Sequence, residues 1–232
     1  MAITYQRPPD PWQDVPAQRT PVRASWLDGV DDTLTDLTGP SGRVGSLEAL
    51  LALLAPTTPA GQWFAATSPN NQATGAIPNN TMRVAPWLIL RTTRVDRMMM
   101  DISAAGEAGS KIRLILFGDN GTGYPGDLVL DGGQVAGDAI SLPIWTVNLT
   151  LAPGLYWVGG GTQLAPTTLP TMRIIGGGWN PPVRLLLGTG TPAAALTTCG
   201  YSQGAVSGAA PSTFTTTFAS SNAVPRVLAR AS

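Results

Sequence analysis

One pentapeptide in the sequence has the residue types of a catalytic nucleophile site, Gly200-Tyr201-Ser202-Gln203-Gly204. It matches the pattern Gly-x-Ser-x-Gly, which needs a buried strand before it and a helix after it to hold the serine on a strained turn. A histidine must also take the proton from the serine hydroxyl, and the chain has no histidine. Residues 193–199 make a weak strand, and Pro211 ends any helix soon after the motif. We therefore predict that the protein is not an enzyme.

A polar cluster at residues 119–123, with Asp127 and Asp131 nearby, carries the oxygen ligands that calcium prefers. An EF-hand loop needs acids at alternating positions and a closing glutamate, which is absent here, so a hairpin loop is the better interpretation. The lack of histidine and the single Cys199 exclude a His/Cys zinc site and a disulfide within the chain. We predict neither a metal nor a cofactor.

Three aromatic side chains are candidate ligand-binding residues. Trp179 follows three glycines, and its indole either stacks on a sugar ring or a partner, or closes one end of a hydrophobic core. Tyr124 and Tyr201 lie in turn-rich segments, where we expect exposed loops. These three residues would form the binding surface if the protein recognises carbohydrate.

The charge content limits the partners. The chain has 14 basic and 14 acidic residues, a net charge of zero, and only 12% charged residues. No Lys/Arg-rich run is present, so we predict no binding to nucleic acid. No apolar run approaches the roughly 20 residues of a membrane span, and the N-terminus lacks the apolar core of a signal peptide. A sparsely charged chain of this kind is expected to cover much of its surface with other protein, including copies of itself.

Residues 1–30 are predicted to form an extended arm, because proline removes backbone donors and fixes φ. Its prolines are Pro8, Pro9, Pro11, Pro16 and Pro21. The arm also carries Tyr5, Trp12 and Trp26, and aromatic residues are scarce in segments that remain disordered. We therefore expect this attachment arm to lie in a groove on a neighbouring subunit; the alternative is that its aromatics fold back on their own domain.

One short helix is predicted at residues 45–55, with Ser46 as its N-cap and Pro56 at its end. A helix this short is marginal by itself, so its leucine stripe must pack, either in a cluster of helices from several subunits or on its own sandwich. Residues 56–61 then form a linker. The expected organisation is an arm with its helix and linker over 1–62, and a second domain over 63–232.

From residue 63 onward, short β-rich runs alternate with turn signals. In one of them Trp145, Val147, Leu149 and Leu151 share a face, the pattern of a half-buried antiparallel strand. The predicted strands are Met82–Arg91, Val95–Ile102, Lys111–Gly118, Leu128–Asp131, Trp145–Leu151, Leu155–Gly159, Met172–Ile175, Val183–Leu187, Thr213–Phe218 and Val224–Ala229. Many short strands without βαβ alternation predict an all-β fold, an antiparallel β-sandwich that is jelly-roll-like.

Residues 82–160 carry a resemblance to a known type of module. The segments that carry it are Val95–Arg97, Lys111–Phe117, Gly118–Val129 with Tyr124-Pro125-Gly126, and Leu151–Val158 with Pro153-Gly154-Leu155-Tyr156-Trp157. They resemble a β-sandwich module recurrent in bacteriophage virion proteins, notably tail appendage and minor tail proteins. Phe117 stands where the pattern usually has tyrosine.

The resemblance implies a structural virion protein of a tailed bacteriophage, such as a tail fibre or tip, minor tail or decoration component. Such a protein is made in the host cytoplasm, is built into the virion and contacts other virion proteins. We expect it to dock by its arm and to form a homo-oligomer with threefold symmetry. The alternative is a carbohydrate-binding host-adsorption module that recognises a host surface glycan.

Overall fold

A computed structural model of the 232-residue chain describes residues 58–66, 72–176, 198–215, 219–221 and 223–232. The predicted arm with Tyr5, Trp12 and Trp26, the predicted helix at 45–55, the predicted strand Val183–Leu187 and the candidate Trp179 lie outside these residues.

The described residues form strands and connecting loops, with no helix among them. The strands are β1 Trp63–Ala65, β2 Gln72–Ala76, β3 Thr81–Ile89, β4 Thr93–Met99, β5 Ile102–Ala104, β6 Lys111–Asp119, β7 Pro125–Ala136, β8 Ile144–Leu151, β9 Gly154–Gln163, β10 Thr171–Gly176, β11 Gly200–Gln203, β12 Ala219–Ser221, β13 Ala223–Pro225 and β14 Leu228–Ala231. The prediction of an all-β fold is confirmed for this part of the chain.

These strands build three sheets, and every pair of strands is antiparallel, as predicted. The six-stranded sheet has the order β12-β11-β3-β9-β6-β7, and the four-stranded sheet has the order β1-β14-β4-β8. The small sheet has the order β13-β10-β2, with β5 also paired to β10. Strands that follow one another in the chain often lie in different sheets: β8 belongs to the four-stranded sheet, whereas β7 and β9 belong to the six-stranded sheet.

Several predicted strand boundaries differ from the structure. The predicted run Val95–Ile102 is interrupted between β4 and β5, and Val224–Ala229 is interrupted between β13 and β14. In the predicted strand Thr213–Phe218, Thr213 makes only an isolated bridge to Asp127, and the described residues that follow it form no strand. The strands β1, β2, β11 and β12 were not predicted. Short runs of glycine, alanine and polar residues, as in β2 and β11, carry no strand pattern.

The segment Asp131-Gly132-Gly133 has the residue types of a turn, but it lies inside β7. The register between β6 and β7 shifts there, so these residues form a β-bulge. Gly133 has a φ of 75°, and its N–H donates to Oδ1 of Asp131 at 2.9 Å. The residues on both sides of this segment pair with β6, so a sequence that favours a turn forms a bulge within one continuous strand.

The central strands of the six-stranded sheet are buried on both faces. In β6, Ile112, Leu114 and Leu116 join the larger apolar cluster, which also contains residues of the other two sheets. The alternate residues Ile115 and Phe117 join a second cluster on the opposite face. All five side chains are fully buried, and burying each contributes about 1.5–3 kcal/mol. Two-sided burial explains why the sequence of β6 is continuously apolar.

The glycine run Gly159–Gly161 occupies the stretch of β9 that lies between β3 and β6. A Cβ atom on Gly159 would lie 1.9 Å from the carbonyl oxygen of Arg83, and one on Gly160 would lie 2.6 Å from that of Arg113. Only glycine fits this close approach of three backbones. The centre of the sheet thus depends on residues that have no side chain.

A buried polar network fastens the irregular segment 204–215 to the second face of this sheet. The side-chain oxygen of Gln163 accepts hydrogen bonds from Arg113 Nε at 3.1 Å and from Gln134 Nε2 at 2.7 Å. Its side-chain nitrogen donates to the carbonyl oxygens of Val206 and Gly208 at 2.6 and 2.7 Å. The Gln163 amide therefore satisfies backbone groups that the segment cannot satisfy by itself.

Asp131 is the charged member of this network. Its carboxylate pairs with the guanidinium of Arg113 and accepts the Ala210 N–H at 2.9 Å. Burial acts to raise the pKa of Asp131, but the N–H groups of Ala210 and Gly133 and the Arg113 guanidinium together hold that pKa below the ordinary value of an aspartate. The ionised carboxylate thus stabilises the folded state.

We predict that Asp131→Asn lowers the free energy of unfolding at pH 7 by about 1–2 kcal/mol, because it removes the ion pair and weakens the hydrogen bond to Ala210. Since the folded-state pKa is depressed, the contribution is present above an ordinary aspartate pKa of about 3.9 and is lost as the pH falls through the folded value. Denaturant unfolding from pH 7 to pH 2 should show the difference between the two proteins shrinking with acid. A difference that stays constant over this range would contradict the role of the charge.

Candidate functional site

The loop that joins β6 to β7 presents polar and aromatic groups at one end of the six-stranded sheet. The loop is short and rich in glycine, and Gly121 and Gly123 have φ values of 87° and 81°. Oδ1 of Asn120 accepts the N–H of Thr122 at 2.9 Å and its hydroxyl at 2.6 Å. The structure therefore has the hairpin loop that the sequence predicted here.

Asp119 anchors this loop to the core. Its Oδ1 accepts the indole N–H of Trp157 at 3.1 Å, and its Oδ2 accepts the N–H groups of Gly121 and Gly123 at 2.8 and 3.2 Å. Both carboxylate oxygens are thus occupied by donors from the protein. In the part of the chain that the structure describes, no group of three or more His, Cys, Asp or Glu side chains is placed to hold a metal ion.

Three aromatic rings form a row from the core to this loop. Trp157 is fully buried, and its ring centroid lies 5.3 Å from that of Tyr201, which is 2% exposed. The Tyr201 ring lies 5.2 Å from the ring of Tyr124, which is half-buried at the surface. Such tilted pairs contribute about 0.5–1.5 kcal/mol beyond the area they bury. Tyr124 is therefore the half-buried outer end of an aromatic stack.

Tyr201 is a neutral hydrogen-bonding group. Burial raises the pKa of Tyr201 well above the ordinary value of a tyrosine, and the neighbouring Tyr124, to which it is hydrogen-bonded, adds to the shift. The phenol thus keeps its proton under physiological conditions.

The Gly-x-Ser-x-Gly pentapeptide lies mostly in β11, a strand of the six-stranded sheet. Ser202 stands opposite Arg83 of β3 on one side and Ala219 of β12 on the other. The serine is therefore in the middle of a paired strand, whereas a nucleophile elbow places it on a turn between a strand and a helix.

The sequence-predicted ligand residues are placed differently from one another. Tyr124 lies in the loop between β6 and β7, as expected, and its side chain is half-buried. Tyr201 was expected on an exposed loop, but it lies in β11 with its ring under Tyr124. Because neither β11 nor its pairing with β3 was predicted, the contact between the two tyrosines could not be anticipated. Whether Tyr124, Tyr201 or Trp179 contacts a ligand stays a prediction.

Asn120 and Thr122, which were not singled out individually, stand exposed beside Tyr124. An accessible aromatic ring flanked by amide and hydroxyl groups suits contact with a polar ligand such as a sugar, where stacking and hydrogen bonds combine. The groups of this loop can bind and orient a ligand.

Comparison of the sequence with known protein families and with curated proteins found no match to either. Among the described residues, no helix has the length and apolar character to cross a membrane.

We predict that Asp119→Ala destabilises the protein by about 1–3 kcal/mol, because it leaves the buried indole N–H of Trp157 without its acceptor and frees the loop. Asp127→Ala is a matched control, since Asp127 is exposed and, among the described residues, its carboxylate accepts the Thr213 hydroxyl at 3.0 Å and no buried donor. Denaturant unfolding followed by tryptophan fluorescence measures both variants. If both substitutions lower the free energy of unfolding equally, the hydrogen bond between Asp119 and Trp157 does not stabilise the protein more than a surface contact does.

Proposed function

We propose that the protein is a structural component of a tailed-bacteriophage virion, a tail fibre or tip, minor tail or decoration protein. In this proposal it docks by its N-terminal arm and displays its β-domain, with no catalytic turnover. It contacts other virion proteins, associates with its own copies and resides in the virion after synthesis in the host cytoplasm.

The observation that carries the proposal is the resemblance over residues 82–160. Its segments Lys111–Phe117, Tyr124-Pro125-Gly126 and Leu155-Tyr156-Trp157 fall on β6, at the start of β7 and on β9, which are adjacent in the six-stranded sheet. Phe117 stands directly opposite Trp157 in the register. A motif whose parts come together in one sheet is consistent with a structural module rather than with chance similarity in separate loops.

We further propose that the β-domain is a jelly-roll-like sandwich. The larger apolar cluster supports this, since it combines buried residues of the six-stranded sheet with residues of the other two sheets, including Met98 and Trp145 of the four-stranded sheet and Met172 of the small sheet. Shared apolar burial between sheets is the defining feature of sandwich packing.

The surface of the domain also favours an assembled state. No charged residue occurs between Asp138 and Arg173. Several large apolar side chains are exposed, with Ile140 at 72% and Leu142 at 58%. A domain with few charges and exposed apolar side chains gains stability when other protein covers it.

A test of the virion role is co-purification of the protein with phage particles. Full-length protein should sediment with particles, whereas deletion of residues 1–30 should leave a folded domain that no longer incorporates. A full-length variant with Tyr5, Trp12 and Trp26 replaced by alanine should show the same loss if those rings dock on a neighbour. Absence of the full-length protein from purified particles would contradict the proposal, and unfolding of the truncated protein would place the arm in its own core.

The second candidate is a carbohydrate-binding host-adsorption module. The partly accessible ring of Tyr124, at the outer end of the aromatic row, favours it. Tyr124→Ala should then abolish binding to a glycan array, because it removes the accessible ring beside Asn120 and Thr122. Tyr156→Ala is the control, since this tyrosine lies on β9 and its hydroxyl donates to the Ala152 carbonyl oxygen at 3.2 Å. No binding by the wild-type protein, together with normal incorporation into particles, would exclude this candidate.

A further inference from the structure

Residues 140–144, which lead from β7 into β8, carry the two most exposed large apolar side chains of the described residues, Ile140 and Leu142, together with the exposed Ile144. Ile140, Leu142 and Ile144 are 72%, 58% and 48% exposed. They occur at every second position, and the intervening Ser141 and Pro143 pair with the segment 100–102. In an extended chain, alternate residues share a face, so the three apolar side chains form one stripe.

The backbone of this segment has a paired side and an open side. Ser141 and Ile102 exchange two hydrogen bonds, at 2.9 and 3.3 Å, and the carbonyl oxygen of Pro143 accepts the Met100 N–H at 3.4 Å. Because backbone groups alternate in direction along an antiparallel strand, those of Leu142 and Ile144 point away from this pairing. Within the part of the chain that the structure describes, no strand pairs with this open side.

The usual protections of an edge strand are missing from the open side. Edge strands are commonly blocked by lysine or by a proline whose missing N–H faces outward. Residues 139–151 contain no charge. The one proline, Pro143, faces the paired side, so its missing donor does not interrupt the open edge.

The apolar stripe continues across the outer face of the four-stranded sheet. Ile144 stands opposite Met99, Met99 opposite Leu228, and Leu228 opposite Ala65. Residues directly opposite one another share a face, so these four side chains form a cross-strand row. The last three are half-buried. An open backbone edge thus adjoins an apolar patch.

The pattern of this edge fits a second copy of the same chain. Ile140-Ser141-Leu142-Pro143-Ile144 has its apolar residues placed symmetrically about Leu142. Antiparallel pairing of two copies about a twofold axis at Leu142 sets Leu142 against Leu142 and Ile140 against Ile144. Self-pairing normally juxtaposes like charges, and here there are none to juxtapose.

We propose that two copies of the protein associate through residues 140–144, pairing antiparallel about a twofold axis at Leu142. The contact joins the two four-stranded sheets edge to edge. It is isologous, so by itself it yields a dimer, in contrast to the threefold symmetry expected from the sequence. The inference rests on the edge geometry and is independent of the proposed virion role.

Light scattering of the full-length chain over a dilution series tests the contact. Wild-type protein should be dimeric, and Leu142→Lys should raise the dissociation constant roughly tenfold or more, since it removes apolar burial and sets two like charges on the axis. Val129→Lys is the matched control, because Val129 is a 42%-exposed apolar residue on β7, at an edge of the six-stranded sheet. Circular dichroism of each variant serves as the control for folding.

Disulfide trapping tests the register independently of affinity. Opposed hydrogen-bonded residues have Cα atoms about 5.5 Å apart, within the range of a disulfide. Leu142→Cys should therefore give a covalent dimer under mild oxidation, whereas Val129→Cys should not; the native Cys199 is buried and common to both. A monomeric or trimeric wild type, a dimer unaffected by Leu142→Lys, or equal trapping at both positions would overturn the inference. None of these results bears on the virion role, which is tested by incorporation into particles. The twofold contact can therefore fail while the virion role stands, and the reverse.

Discussion

Burial of the central strands β6 and β9 of the six-stranded sheet on both faces is the constraint on which the rest of the structure depends. Its strands β6 and β9 have no solvent face, so their side chains are apolar or glycine throughout much of their length. One face is covered by the four-stranded and small sheets, which bring Met98, Trp145 and Met172 onto it. The other face needs a separate cover, and among the residues described segment 204–215 supplies apolar residues to it from outside the sheet, together with Tyr124 of the β6–β7 loop.

That cover has no regular structure, so its backbone groups need partners from elsewhere. Gln163 and Asp131 supply them from the sheet, while Val206 and Phe214 supply the apolar contact. The Phe214 ring meets the Phe117 ring edge-on at 5.3 Å. Segment 204–215 is thus held by hydrogen bonds and by apolar contacts together. Both are needed, because irregular backbone can be buried only when its N–H and C=O groups are satisfied.

The aromatic row from Trp157 to Tyr124 belongs to the same covered face. Asp119 connects it to the hairpin loop, so the accessible ring of Tyr124 is positioned by contacts that begin in the core. A ring held in this way loses little conformational freedom when a ligand or a partner stacks on it. The proposed sugar contact would draw on this rigidity.

The sequence by itself determined the class of structure, because strand periodicity and turn residues act locally. The alternation from Trp145 to Leu151 predicted β8 to within one residue, and the runs at Lys111 and Met172 predicted β6 and β10. The lack of histidine ruled out a Ser-His nucleophile at Ser202 before any fold was known. Only the tertiary structure decided which strands are neighbours. It made a bulge of Asp131–Gly133, buried Tyr201 beneath Tyr124, and placed the open side of residues 140–144 at a sheet edge. These outcomes depend on contacts between residues far apart in the chain, and local pattern carries no information about which distant backbone will supply the hydrogen bonds.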